Sequence, residues 1–300
     1  MNCTGRPALV PALVLLLSGA AYGQLTDAIK RAPNPDNAAI QQHVDNAVKD
    51  LLVDDDTRQA RGRDNLSNGA AVGGDPPPSA VFLDAYAAAV GKALTPLAAH
   101  EDARVRLNAA IATARVAERA GNTRLADLAV RFMNDKNMAV ALWGTKAARA
   151  MLPSALMQGG NSPLLPALAQ AVKQAPVGPV VAEAYDALTL NVFTAKERPQ
   201  PATIKLLVPE MLRVYRMRVD RYARSGPPAD AAVDSHAAEF LSFAPVWQQM
   251  SPQQRTESVQ AMSDVLNFAA QYAQLMDAND RQSRVPLFKR TGAALQVIDD

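Results

Sequence analysis

The sequence predicts an all-α protein, and three observations support that fold class. Alanine is the commonest residue, and it favours closely packed helices. Apolar side chains recur at helical spacing in one segment after another. No convincing run of alternating β-branched residues predicts a strand. With 300 residues, 49% of them hydrophobic, the chain is long enough for one large domain or two and too apolar for global disorder.

Residues 1–23 have the pattern of a cleavable secretory signal. Arg6 supplies a positive start, residues 8–17 are apolar, and Ala21-x-Gly23 fits a small-x-small cleavage site. The apolar run is too short to span a bilayer, and no later run reaches about eighteen apolar residues. We therefore expect a periplasmic or secreted protein without a transmembrane segment after signal removal. The alternative is an uncleaved N-terminal helix.

The single cysteine, Cys3, lies inside the predicted signal. A mature chain without cysteine would have no disulfide, no cysteine nucleophile and no thiolate metal site. The formal net charge of +2 provides no large positive field, so the sequence predicts no nucleic-acid partner.

The rest of the chain divides into three segments. Residues 24–53 are predicted to be a loose leader followed by an amphipathic helix, because Ile40 and Val44 share a helical face. Residues 54–78 mix charge, glycine and three consecutive prolines, and we expect an irregular linker there. Residues 79–300 are predicted to form an α-helical repeat domain.

Five helix pairs are predicted in this last segment. Apolar stripes indicate the helices, and serine–proline pairs at Ser162 and Ser251 indicate helix starts. The predicted pairs are 79–98 with 102–119, 122–133 with 137–152, 162–175 with 178–195, 199–224 with 230–247, and 251–277 with 283–298.

The second helices of the first three pairs share a pattern of apolar and small residues. Residues 105–109, 140–144 and 180–184 each begin with valine and end with alanine or glycine. Small residues at matched positions let neighbouring helices approach closely, as stacked helical repeats require. The spacing therefore indicates a repeat.

Residues 102–110, Asp-Ala-Arg-Val-Arg-Leu-Asn-Ala-Ala, resemble the Asp-x-x-Val-Arg-x-x-Ala core of HEAT repeats. The resemblance covers residues 100–155, with Ala141 where arginine is usual, and weakens over 156–195. It implies antiparallel helix pairs stacked as an α-solenoid. It also implies a scaffold that binds other macromolecules and performs no chemistry.

No catalytic, cofactor-binding or metal-binding residue is predicted. Phosphate-binding glycine loops and nucleophile-elbow motifs are absent, and the three histidines lack metal-ligand spacing. His236 and Glu239 could share a helix face, as a surface hydrogen bond or an acid–base pair. The acidic clusters at 54–56 and 277–280 fit a solvated loop better than a calcium loop.

One predicted helix concentrates arginine and tyrosine. Arginine binds carboxylates and phosphates through two parallel hydrogen bonds, so one interpretation is a patch for an anionic partner. The other is a packed helix whose arginines cover apolar neighbours and pair with acids elsewhere. The residues concerned are Arg213, Tyr215, Arg216, Arg218, Arg221, Tyr222 and Arg224.

The two tryptophans, Trp143 and Trp247, are further candidates for binding. In an exported protein a tryptophan can stack on a sugar, but packing between repeats is the commoner use. We predict an exported helical-repeat scaffold that binds a protein or an anionic envelope component. An all-helical glycan lyase or hydrolase and a self-assembling structural envelope protein stay open as alternatives. Whether the chain has enzyme activity is left undecided.

Overall fold

A computed structural model describes the chain after its first 24 residues, with short gaps. All regular elements in the described part are helical, which confirms the all-α prediction. The predicted signal lies outside the described residues. The described residues are 25–71, 75–159, 162–174, 178–190, 200–226, 228, 230–272 and 278–299.

Fourteen α-helices occur in these residues, with 3₁₀ turns at Pro96–Ala99 and Ala231–Asp234. They are α1 Asp27–Arg31, α2 Asn37–Leu51, α3 Asp56–Gly69, α4 Ala80–Leu94, α5 Ala103–Ala120, α6 Ala126–Met133, α7 Met138–Met157, α8 Leu164–Gln174, α9 Gly178–Thr189, α10 Pro201–Ser225, α11 Ser235–Ser242, α12 Ala244–Trp247, α13 Pro252–Tyr272 and α14 Ala278–Asp299.

The helices of 79–300 follow the predicted pairs closely. Helices α4 and α5, α6 and α7, α8 and α9, and α13 and α14 each correspond to one pair. The partner predicted for α10 over 230–247 is instead a 3₁₀ turn followed by the short helices α11 and α12. Pro245 stands in the first turn of α12, where a proline is tolerated because its missing N–H would have no helical partner.

The prediction of an irregular linker over 54–78 was wrong for most of its length, because α3 occupies Asp56–Gly69. The side chain of Asp55 caps this helix by accepting a hydrogen bond from the Arg58 amide at 2.7 Å. Leu66 is fully buried, which gives the polar helix an anchor in the core. Only the short stretch around the consecutive prolines remains irregular in the described residues.

The charged residues of α3 pair across to α2 instead of being solvated along a linker. Asp50 has a side chain only 3% exposed and lies 2.8 Å from Arg58 and 2.9 Å from Arg61. Burial alone would raise the pKa of Asp50, but hydrogen bonds from the two arginines outweigh it and lower the pKa. A Cβ on Gly62 would lie 2.6 Å from the Ala47 carbonyl oxygen, so glycine permits the close crossing of the two helices.

Helix packing is mainly between elements near each other in the chain. Helices α3, α5, α7, α9, α11 and α14 form one continuous series of contacts. Helices α6, α8, α10 and α13 form a second series, which packs against the first through α5, α7, α9 and α14. The buried apolar side chains of the described residues form one hydrophobic cluster, which includes residues of both series.

One stretch of the described residues, Ala80–Ala99, has the length and apolar composition of a membrane-crossing helix. It packs against α2 and α5, and 33% of it is buried inside the fold. Phe82 and Tyr86 are fully buried, and Tyr86 donates a hydrogen bond to the Leu66 carbonyl at 2.8 Å. These contacts make the stretch a packing helix of the described fold.

Candidate functional site

The arginine- and tyrosine-rich segment forms the C-terminal half of α10, but its side chains do not share one surface. Tyr215, Arg218 and Tyr222 are buried, with Arg218 only 1% exposed. Positions 215, 218 and 222 lie on one face of the helix, and this face points into the core. The arrangement favours the packed-helix interpretation over a single seven-residue patch.

Arg218 belongs to a buried ionic network. Its Nε lies 3.0 Å from Asp234 Oδ1, and its Nη2 lies 3.2 Å from Asp230 Oδ1. Tyr185 and Tyr222 both donate hydrogen bonds to the Asp234 carboxylate. Burial raises the pKa of both tyrosines, and the Asp234 charge raises it further, so both hydroxyls stay protonated donors. The network ties α9, α10 and the 3₁₀ turn before α11 together.

The remaining arginines of α10 reach the surface. Arg213 lies 2.6 Å from Glu210 and Arg216 lies 2.8 Å from Asp264, so each has an acidic partner. Arg221 donates to the carbonyl of Lys173 at 2.9 Å, and Arg224 is exposed. Two of these four arginines, Arg213 and Arg216, are thus compensated by carboxylates.

The better candidate site is a groove between α5 and α7, with a volume of about 330 Å³. Ala114, Ala150 and Pro153 form its apolar wall, and its polar side chains are Arg115, Glu118, Trp143, Lys146 and Arg149. Both helices belong to the first contact series, so the groove lies at the junction of two predicted repeats.

Trp143 is the centre of this groove. The guanidinium carbon of Arg115 lies 5.4 Å from its ring centroid, and the ammonium nitrogen of Lys146 lies 4.8 Å away. Cations at these distances are attracted to the face of the ring. The half-buried indole therefore contacts two basic side chains at the groove in addition to any packing against the core.

The helices that form the groove carry a strong positive surplus. Within the described residues Lys146 forms no salt bridge, whereas Arg115 pairs with Glu118 at 3.0 Å. Arg106 is buried in a 2.6 Å pair with Asp135 and does not contribute to the surface. Together α5 and α7 hold six basic residues and one acidic residue: Arg104, Arg106, Arg115, Arg119, Lys146, Arg149 and Glu118.

Arg149 connects the groove to α9. Its Nε lies 2.9 Å from Glu183 Oε1, and its Nη1 lies 3.4 Å from Asp186 Oδ2. The Glu183 side chain is 11% exposed, and its Oε1 accepts no well-aligned hydrogen bond from the described residues. Burial raises the pKa of Glu183, against the lowering effect of Arg149 and Lys146.

The other sequence candidates do not come together at a site. His236 lies 3.7 Å from Asp186, while Glu239 lies 3.4 Å from Arg290, so the proposed His236–Glu239 pair does not form. No group of three metal-ligating side chains occurs in the described part of the chain. The side chains of 277–280 lie outside it.

The remaining acidic cluster, at 54–56, is used for an ion pair at the surface. Arg104 lies 2.7 Å from Asp54 and 3.1 Å from Asp56. The guanidinium carbon of Arg255 lies 5.5 Å from the ring centroid of Trp247, so this tryptophan also makes a cation–π contact. Neither arrangement lies beside the groove between α5 and α7.

Comparison with known proteins assigns no family. No protein-family model matches the chain, and no curated protein matches it. Among solved structures, the chain is similar to the crystal structure of an engineered protein from the Northeast Structural Genomics Consortium. The two are 19% identical, the alignment covers 84% of this chain and 97% of that chain, and the TM-score is 0.46. This likeness identifies neither a family nor a function.

Proposed function

We propose that this protein is a helical-repeat scaffold that binds an acidic protein segment in the groove between α5 and α7. The observation that carries the proposal is the position of Lys146 and Arg115 against the Trp143 ring at that groove. The Trp143 ring attracts both cations, so they lie close together at the groove. The apolar wall beside them can cover an apolar side chain of the partner. Charge-assisted hydrogen bonds to carboxylates would then give the binding its strength.

The HEAT-like solenoid is the second part of the proposal. Its support is the two continuous series of helix contacts and the repeated small residues on the second helices. In such a stack, equivalent helices of successive repeats lie side by side, and the grooves between them form a binding surface. The α5–α7 groove is one of these inter-repeat grooves.

Export is the third part, and it rests on the pattern of residues 1–23. The partner would then be an exported protein or an anionic component of the cell envelope. An acidic protein segment fits the groove best, because alternating carboxylate and apolar side chains match its basic and apolar walls. A regular polyanion without apolar groups would leave the apolar wall of the groove uncovered.

The direct test is binding of a labelled peptide of alternating aspartate and leucine, measured by fluorescence anisotropy. The control peptide has asparagine in place of aspartate. We expect Lys146→Ala and Trp143→Ala to weaken binding by about threefold to tenfold each, the range of one charge-assisted contact. Lys92→Ala removes an exposed lysine from α4 and should leave binding unchanged.

Equal binding of the two peptides, or equal loss in Lys92→Ala and Lys146→Ala, would contradict the proposed site. A urea denaturation curve for each variant separates lost binding from lost folding.

A further inference from the structure

Arg149 is the one basic residue of the groove that is held by carboxylates from outside it. Glu183 and Asp186 both belong to α9, and they contact the guanidinium from behind the groove. The side chain of Arg149 is still 40% exposed. It can therefore serve either the two carboxylates or a carboxylate of a bound partner, but its positive charge is compensated as long as both α9 carboxylates are ionised.

From these contacts we propose that the α9 carboxylates regulate the groove, so that protonation of Glu183 releases Arg149 from one of its two carboxylates and strengthens binding of an acidic segment. This inference rests on the proposed function. Glu183 is suited to the task because its Oε1 is buried and lacks a well-aligned hydrogen bond, so its ionised form is poorly solvated. Protonation of Glu183 would leave Arg149 with one ionised carboxylate, Asp186, in place of two.

The charged surroundings of Glu183 are consistent with this response. Helix α7 presents Arg149 and Lys146 to it, which favour the ionised form, whereas burial and Asp186 on its own helix favour the protonated form. His236 of α11 faces Asp186 at 3.7 Å.

The other elements packed against α9 present their charges elsewhere. Arg218 of α10 and Asp234 of the 3₁₀ turn contact Tyr185, and Lys173 of α8 is exposed. Glu183 is therefore the α9 carboxylate through which acid is expected to act on Arg149.

The raised pKa of Glu183 gives the direction of the response to pH. A carboxyl group whose pKa is raised by burial takes up its proton as the pH falls, before exposed carboxylates do. An aspartate-containing peptide stays largely ionised down to about pH 5, since the ordinary aspartate pKa is about 3.9. The protonation of Glu183 can thus be changed while the peptide keeps most of its charge.

The experiment measures binding of the full mature chain to the alternating aspartate–leucine peptide at about pH 7.5 and about pH 5. We expect binding to the unmodified chain to tighten by about threefold to tenfold in acid, the gain of one additional charged contact. Glu183→Gln should bind at about pH 7.5 as the unmodified chain does at about pH 5, and its binding should no longer depend on pH.

Three further variants sharpen the test. Asp186→Asn changes a more exposed carboxylate and should shift binding in the same direction as Glu183→Gln, which covers the case that the buried substitution does not fold. Arg149→Ala should lose the pH response. Asp220→Asn removes an exposed carboxylate on α10 and should behave as the unmodified chain.

Three results would overturn the inference. If the unmodified chain binds the peptide equally at both pH values, or if Glu183→Gln keeps the full pH response, the switch is wrong while the proposed binding site stands. If the peptide does not bind at either pH, both the switch and the proposed function fail.

Discussion

Arg218 shows how much of α10 is devoted to packing. Its guanidinium is buried and bonded to Asp234 and Asp230, and two tyrosine hydroxyls complete the coordination of Asp234. A buried charge of this kind is tolerated because its counter-charge and hydrogen bonds repay the cost of removing it from water. The seven-residue set that sequence spacing singled out is thus divided between core and surface.

Substitution of Arg218 should therefore be far more costly than substitution of its neighbour Arg213. We expect Arg218→Met to lower the free energy of unfolding by about 3–5 kcal/mol, because it leaves Asp234 buried without its counter-charge. Arg213→Ala breaks an exposed pair with Glu210 and should cost about 0–1 kcal/mol. Urea denaturation at neutral pH measures both. Equal effects would mean that the buried network does not form.

The tyrosines give a second residue-level prediction, in alkali. Burial raises the pKa of Tyr86, Tyr185, Tyr215 and Tyr222 above the ordinary value of 10.0. A group whose folded pKa is raised stabilises the fold below its unfolded pKa, and this contribution is lost as the pH rises towards the folded value. The folded protein should therefore lose stability above about pH 10.

Ultraviolet titration of the folded chain follows tyrosinate formation directly. We expect no more than two of the six tyrosines to ionise before unfolding, and the others to ionise together with it. Gradual ionisation of four or more tyrosines in the folded state would contradict their burial.

At the scale of elements, glycine decides how closely α6 and α7 cross. A Cβ at position 144 would lie 2.5 Å from the Met133 amide nitrogen and 2.7 Å from the Phe132 carbonyl carbon. Both are backbone atoms, which cannot move without shifting the helix. The repeat alignment identified position 144 as one that needs a small residue, and the crossing supplies the physical reason.

Two glycine substitutions test this contact against intrinsic helix propensity. Gly144→Ala should destabilise the protein by about 1–3 kcal/mol through overpacking. Gly292→Ala, in α14, has no atom within 4 Å of its new Cβ and should stabilise the protein by about 0.5–1 kcal/mol. If α6 and α7 cross this closely, the melting temperature should fall for Gly144→Ala and rise for Gly292→Ala. Stabilisation by both substitutions would contradict it.

Local patterns predicted most helices but not α3. The apolar stripes and serine–proline starts located the helices of the later pairs because those signals are local. Helix α3 depends on Asp50 pairing with two arginines and on Gly62 fitting against Ala47, and both contacts are tertiary. The sequence did not predict the groove for the same reason, because the contact between Trp143 on α7 and Arg115 on α5 is also tertiary.

At the scale of the whole molecule, charge is distributed unevenly. Helices α5 and α7 have a surplus of five positive charges, while the entire chain has a net charge of only +2. The rest of the chain is therefore net negative, and part of it pairs with this surplus, since Arg104, Arg106 and Arg149 contact carboxylates outside α5 and α7. Lys146 forms no salt bridge within the described residues, so it is the groove cation most available to the acidic partner we propose.

Hydrogen–deuterium exchange with and without the alternating aspartate–leucine peptide tests this central claim most directly. The account predicts slower exchange around the groove, at the C-terminal half of α5, in α7 and at the facing turn of α9, with no change in α4 or α13. Protection spread evenly over the chain, or confined to the arginine-rich end of α10, would contradict it.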